Sequence, residues 1–186
     1  ISLDITLLRS GIARDGMAVP NLVAQLRASL PDSAKEHLHF GSTSQDVIDT
    51  SLMIRSRAAF AILQDRLKLI HESLKSAADQ FGHNTLFART RMQKALPASV
   101  ADRVKAWDAG FQSAADLIGN LTFPVQFGGP TGILRNEGLK KALAEKLSLN
   151  VLPHTWQAER SPVVALANAA SALTGAAAVI FVRCQY

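Results

Sequence analysis

The chain has 186 residues, enough for one domain with a hydrophobic core or for part of a larger protein. Its 48% hydrophobic and 19% charged residues exclude a disordered chain. The single cysteine, Cys184, excludes an internal disulfide framework and fits a reducing cytoplasm, and the net charge of +5 would suit an anionic substrate, nucleic acid or an acidic membrane surface.

Taken in chain order, residues 3–31 read as two helical pieces, broken near Gly16 and Pro20 and ended at Pro31. Ile1 is already in helical pattern and is not a methionine, so a natural start is expected to be missing. The stretch "HLHFGSTSQDVIDTSL", residues 37–52, then crowds histidines, hydroxyls and an aspartate before a long helix. From Asp46 to about Gln80 the positions Ile48, Leu52, Ala59, Leu63, Leu67, Ile70 and Leu74 recur mostly at three- and four-residue steps. No proline interrupts them, and Gly82 supplies the stop. Such a helix runs about 50 Å at 1.5 Å per residue, which suits an elongated bundle.

The segment "GHNTLFARTRMQKALP" is expected as a loop, followed by a helix from about Ala98 to Asn120. "FPVQFGGPTGILRN" reads as a glycine-rich connector, with helices again at roughly 136–148 and 162–182. Ser161 is the expected N-cap of the last one, with Pro162 at its first position. Residues 163–182 approach membrane-spanning length, but alanine dominates and Asn168, Ser171 and Thr174 interrupt. A helix buried among other helices is therefore expected, not a membrane span. No convincing strand alternation appears, so the fold class is all-α, a bundle of long helices.

Two segments carry the chemistry. In "GSTSQD", Thr43 or Ser44 would cap the helix and Asp46 would complement its dipole. The same free amides and hydroxyls form a seat for a carboxylate or phosphate, and Gly41 allows close approach. In "ARTRMQKALP", Arg89, Arg91 and Lys94 place three cations within six residues, beside Thr90 and Gln93. The bland alternative is a solvated basic loop. Nucleic acid is disfavoured because no aromatics are interleaved and no basic stripe continues. A small polyanion suits bidentate arginines and a point-charge lysine. "QFGGPTGILRN" lacks the lysine and hydroxyl of a phosphate loop, and His37 and His39 lack the spacing of a helical zinc pair, so no metal is expected.

The order of "HFGSTSQDVIDTSLMIR", "ARTRMQKALP", "VQFGGPTGIL" and "WQAERSPVVALANAASALTGA" resembles the fumarase/aspartase superfamily. Within it, the run is most similar to the cycloisomerases that act on 3-carboxy-cis,cis-muconate in protocatechuate catabolism, up to about Ala176. The resemblance implies a cytoplasmic homotetramer of long helices whose active sites are shared between subunits, with no cofactor. It implies a small polycarboxylate substrate and no nucleic-acid or membrane partner. By the same resemblance Ser42, Thr43, Ser44, Gln45, Arg89, Thr90, Arg91, Gln93, Lys94 and Arg160 would bind substrate. Ser44 and Lys94 would be the catalytic candidates. Lys94 stands where many relatives carry a histidine, and both proton exchange and simple carboxylate binding remain open for it.

The family's third segment, of the type GSSxMPxKxNP, is absent, and the terminal "VIFVRCQY" departs from the expected continuation. A truncated chain is therefore expected. Residues 1–97 would be part of an N-terminal helical region with the first two site segments, and residues 98–186 part of a central bundle. Two alternatives accompany the cycloisomerase reading: another superfamily lyase, such as an adenylosuccinate lyase-like enzyme, and a non-catalytic helical assembly module.

Overall fold

The computed structural model describes residues 1–91, 93–133 and 136–183, Arg183 by its backbone alone. Cys184 and the two residues after it lie outside the described residues, as does the end of the "VIFVRCQY" run. The chain separates into two compact units interleaved in sequence. One comprises Ile1–Ser56 with Thr122–Pro162, and the other Arg57–Leu121 with the residues from Val163 on.

In the first unit, α1 (Ile5–Asp15) starts where the Asp4 carboxylate accepts from the amides of Thr6 at 2.8 Å and Leu7 at 3.1 Å. It ends at Gly16, whose φ of +71° suits glycine. The next helix, α2 (Val19–Ala28), carries Pro20 in its first turn. Gly11 lets these two helices approach: a Cβ there would lie 2.7 Å from the Asn21 Cβ. A single turn, α3 (Asp32–Lys35), precedes the start of the long helix α4 (Ser44–Phe81). After residue 122 the run Pro124–Gly129 is buried, and Val125 donates to the Asn150 carbonyl at 2.9 Å. Helix α6 (Glu137–Leu147) is capped by Asn136, which accepts from the Leu139 amide at 3.0 Å. Val19, Met53, Val125, Phe127, Ala144 and Trp156 form this unit's core.

The second unit holds the remainder of α4, a hairpin, α5 (Val100–Gly119) and nearly all of α7 (Ser161–Arg183). Gly82 closes α4, its amide bonding the Ala78 carbonyl at 2.8 Å. Its core comprises Phe60, Leu67, Val104, Phe111, Ala114, Ile118, Leu166 and Ala169. The α5 start is a capping box: the Asp102 amide donates to Ser99 Oγ at 3.1 Å, and the Ser99 amide to Asp102 Oδ2 at 3.0 Å.

The all-α class holds, and the long helix runs over 38 residues, close to the span its periodicity predicts. Three local expectations need correction. The segment expected as a loop is an antiparallel hairpin of β1 (Thr85–Thr90) and β2 (Gln93–Ser99). Both strands are mostly exposed, so there is no apolar alternation to read, and Pro97 and the absence of an Asn-Gly turn hide it further. Ser161 lies inside α7 and does not serve as a separate cap. Its amide and hydroxyl both donate to Glu159, at 2.7 and 3.0 Å. Lastly, α7 is not buried within this chain. Only 11% of its most apolar window is covered, and Val164, Val179, Phe181 and Val182 stand exposed.

Candidate functional site

The start of α4 is organised by one carboxylate. Asp46, the third helical residue, reaches back to accept from the Thr43 amide at 2.9 Å, half of a capping box. Its other contacts cross the sequence: Oδ1 accepts from Gln126 Nε2 at 3.1 Å and the Gly128 amide at 2.8 Å, and Oδ2 from the Gly129 amide at 2.9 Å. The side chain is buried, so these donors replace the water it has lost. The glycine connector is therefore wrapped around the helix start. Gly129 needs to be glycine, because its φ is +65° and a Cβ would lie 2.9 Å from the Gly41 carbonyl oxygen.

Gln126 extends this network. Its amide and carbonyl both meet the Thr50 hydroxyl, at 3.1 and 3.0 Å, and its Oε1 accepts from the Trp156 amide at 2.9 Å. Trp156 is fully buried and donates its indole N–H to the Val125 carbonyl at 3.1 Å. Above it lies Arg160, with its guanidinium 5.3 Å from the ring centroid. Arg160 also forms a two-pronged pair with buried Asp49, at 2.6 and 3.0 Å. The Asp49 bond holds the Arg160 guanidinium above its ordinary value, against the opposing effect of burial. Arg160, assigned to substrate by the resemblance, thus anchors the segment before α7 to the second turn of α4.

With Asp46 serving as the cap, the hydroxyls of Thr43 and Ser44 make no intramolecular hydrogen bond among the described residues. Neither hydroxyl takes up the expected capping role among the described residues; the Asp46 carboxylate instead satisfies the Thr43 amide, which lies before the helix. Ser42 donates its hydroxyl to the His39 carbonyl at 3.2 Å, and Gln45 follows Ser44 in the first turn. Beside this start lies a cavity of about 570 Å³, bordered by Asp46, Thr50 and Ser51 of the helix and by His39, Ser42 and Leu143. His39 has a φ of +64°, and its buried Nε2 has no partner.

The basic segment lies in the second unit. Arg89 and Thr90 end β1, Arg91 is in the turn with a φ of +45°, and Gln93 and Lys94 begin β2. Arg89 and Lys94 are register partners, so two cations face each other across the ladder. No carboxylate pairs with any of the three cations among the described residues. Lys94 Nζ lies instead 4.0 Å from the centroid of the Phe87 ring.

Sequence reasoning did not find Gln126, Asp49 and Trp156 as parts of this arrangement. Asp46 was legible only as a complement to the helix dipole, without its bonds to the Thr43 amide and the glycine connector. The others meet partners 30 to 111 residues away, a pairing no local pattern reveals.

The α4 start is thus buttressed by a glycine connector and, one turn on, by the arginine before the last helix. The lyase family profile matches residues 10–183, and the chain belongs to that family, as a member of the fumarase/aspartase superfamily. Among the relatives, 3-carboxy-cis,cis-muconate cycloisomerase of Acinetobacter baylyi is 31% identical over 94% of this chain and 41% of its own length. Trans-aconitate decarboxylase 1 of Mycosarcoma maydis is 27% identical over 93% of the chain and 37% of its own. Two crystal structures share the fold. Fumarate lyase from Mesorhizobium sp. has a TM-score of 0.87 and 26% identity, covering 95% of this chain and 43% of that one. Beta-carboxy-cis,cis-muconate cycloisomerase of Acinetobacter calcoaceticus has a TM-score of 0.85 and 30% identity, covering 94% and 43%. The chain thus spans about two-fifths of the length of these relatives.

Proposed function

We propose that this chain carries two of the substrate-binding segments of a cycloisomerase that converts 3-carboxy-cis,cis-muconate to 4-carboxymuconolactone. The observation that carries the reading is the pair of unsatisfied elements at its polar ends. At the α4 start, the Thr43 and Ser44 hydroxyls make no intramolecular hydrogen bond among the described residues. On the hairpin, three cations have no counter-charge among the described residues. Identity to curated cycloisomerases over most of the chain supports the same assignment.

In this reaction a carboxylate oxygen of the substrate forms a C–O bond to one alkene carbon. The alkene electron pair moves to the neighbouring carbon, which then takes a proton. Charge develops on the carboxylate attached beside that carbon. Hydroxyls, helix-start amides and cations that are already in place stabilise such an enediolate-like state without reorganising. Ser42, Thr43, Ser44 and Gln45 are assigned to one carboxylate, and Arg89, Thr90, Arg91, Gln93 and Lys94 to another, in a cytoplasmic homotetramer whose sites draw on several subunits. Ser44 and Lys94 are the catalytic candidates within this chain.

The test is turnover with two substrates. Loss of carboxymuconate absorbance with no fumarate release from adenylosuccinate supports the cycloisomerase. The opposite result assigns an adenylosuccinate lyase-like enzyme. Citrate binding without turnover of either substrate is expected if catalysis needs the serine loop that this sequence does not contain. Absence of both binding and turnover identifies an assembly module.

A further inference from the structure

The hairpin contains one contact that the anion-site reading does not require. Counting back from Thr85↔Ser99 and Phe87↔Pro97, an unbroken ladder would place Arg89 opposite Ala95. A register shift between Phe87 and Arg89 makes Lys94 the partner instead. Because side chains alternate between faces, that single shift moves Lys94 to the other face of the hairpin. It arrives opposite a like charge, which is unfavourable in a strand pair. What receives it is the face of Phe87, 4.0 Å from Nζ to centroid.

We propose that Phe87 is a positioning residue that holds the Lys94 ammonium as a fixed cation for one carboxylate of a tricarboxylate, so that Lys94 binds charge and does not carry the proton. The inference rests on the polycarboxylate reading of the hairpin. The electron-rich ring face attracts an ammonium and offers nothing comparable to the neutral amine. The ring also restricts a side chain with four rotatable bonds, lowering the ordering cost when an anion arrives.

Calorimetric titration with citrate as the tricarboxylate and fumarate as the dicarboxylate tests this on the whole chain. Phe87→Leu should weaken citrate binding about two- to fivefold, the effect of an exposed cation–π contact, and leave fumarate nearly unchanged. Phe87→Tyr should restore it. In a Lys94→Met background, Phe87→Leu should have no further effect. After reductive ¹³C-methylation, which retains the charge, the Lys94 methyl signal should lie upfield from ring current and move to the random-coil position in Phe87→Leu. Citrate binding by the parent chain that is indifferent to Phe87→Leu overturns this inference alone. Failure of the parent chain to bind citrate overturns the anion-site reading and this inference with it. In any form that turns over, loss of turnover with retained citrate binding in Lys94→Arg makes Lys94 the proton carrier and overturns the proposal.

Discussion

Asp46 does at one position what a string of polar residues suggests only loosely. It is a buried carboxylate that pairs with no cation among the described residues and is satisfied by four N–H donors. Asp46→Asn presents an NH₂ group to some of those donors, and is expected to cost about 1.5–3 kcal/mol, the range for a hydrogen bond to a charged group. Urea denaturation with an unchanged m-value is the measurement. Arg91 shows the opposite balance. A non-glycine residue in the left-handed region costs about 1–2 kcal/mol, so a simpler hairpin would place glycine there. Arg91→Gly is expected to raise the melting temperature without ligand. Both Arg91→Gly and Arg91→Ala should weaken tricarboxylate binding by about 1.5–3 kcal/mol, so the rise in melting temperature produced by citrate should shrink. A melting temperature that falls in Arg91→Gly would contradict the strain argument.

At the scale of the elements, the α5 cap makes stability depend on pH in a definite direction. The Ser99 hydroxyl, and after it the Ser99 amide, hold the Asp102 carboxyl below its ordinary value of 3.8. A carboxyl lowered on folding contributes stability above the unfolded value, and that contribution is lost as pH falls through the lower folded value. Asp102→Asn should therefore destabilise the protein at pH 5 and make progressively less difference below pH 3.8, read from denaturation curves at both pH values. The hairpin feeding this cap was hidden because its strands bury little. Pattern reading detects one-sided burial, and an exposed ribbon has none. The helices behaved otherwise: α4 and α5 each carry an apolar stripe and Gly82 marks the end of α4, although the Ser99–Asp102 box that starts α5 came only with the structure.

For the whole molecule, the question is what covers α7. Its exposed valines and Phe181 form an apolar helix too little buried by this chain, and the superfamily resemblance suggests copies of the chain as the cover. Light scattering at micromolar concentration should return an oligomer, and Val179→Asp with Phe181→Asp should return smaller species with the helical signal kept. A monomeric parent chain would count against that cover. The all-α class, the long helix and the two polar segments were determined by the sequence itself, because periodicity, capping and charge density are local properties. Even the superfamily could be read from the order of four short runs. The roles of Asp49, Gln126, Trp156 and Arg160 were decided by the tertiary structure alone. Each is an ordinary polar or aromatic residue in its own neighbourhood, and becomes part of one network only when the chain brings residues 46–50, 126–129 and 156–160 together. The physical reason is burial: a carboxylate, an amide or an indole that leaves water must find partners, and those partners lie far along the chain.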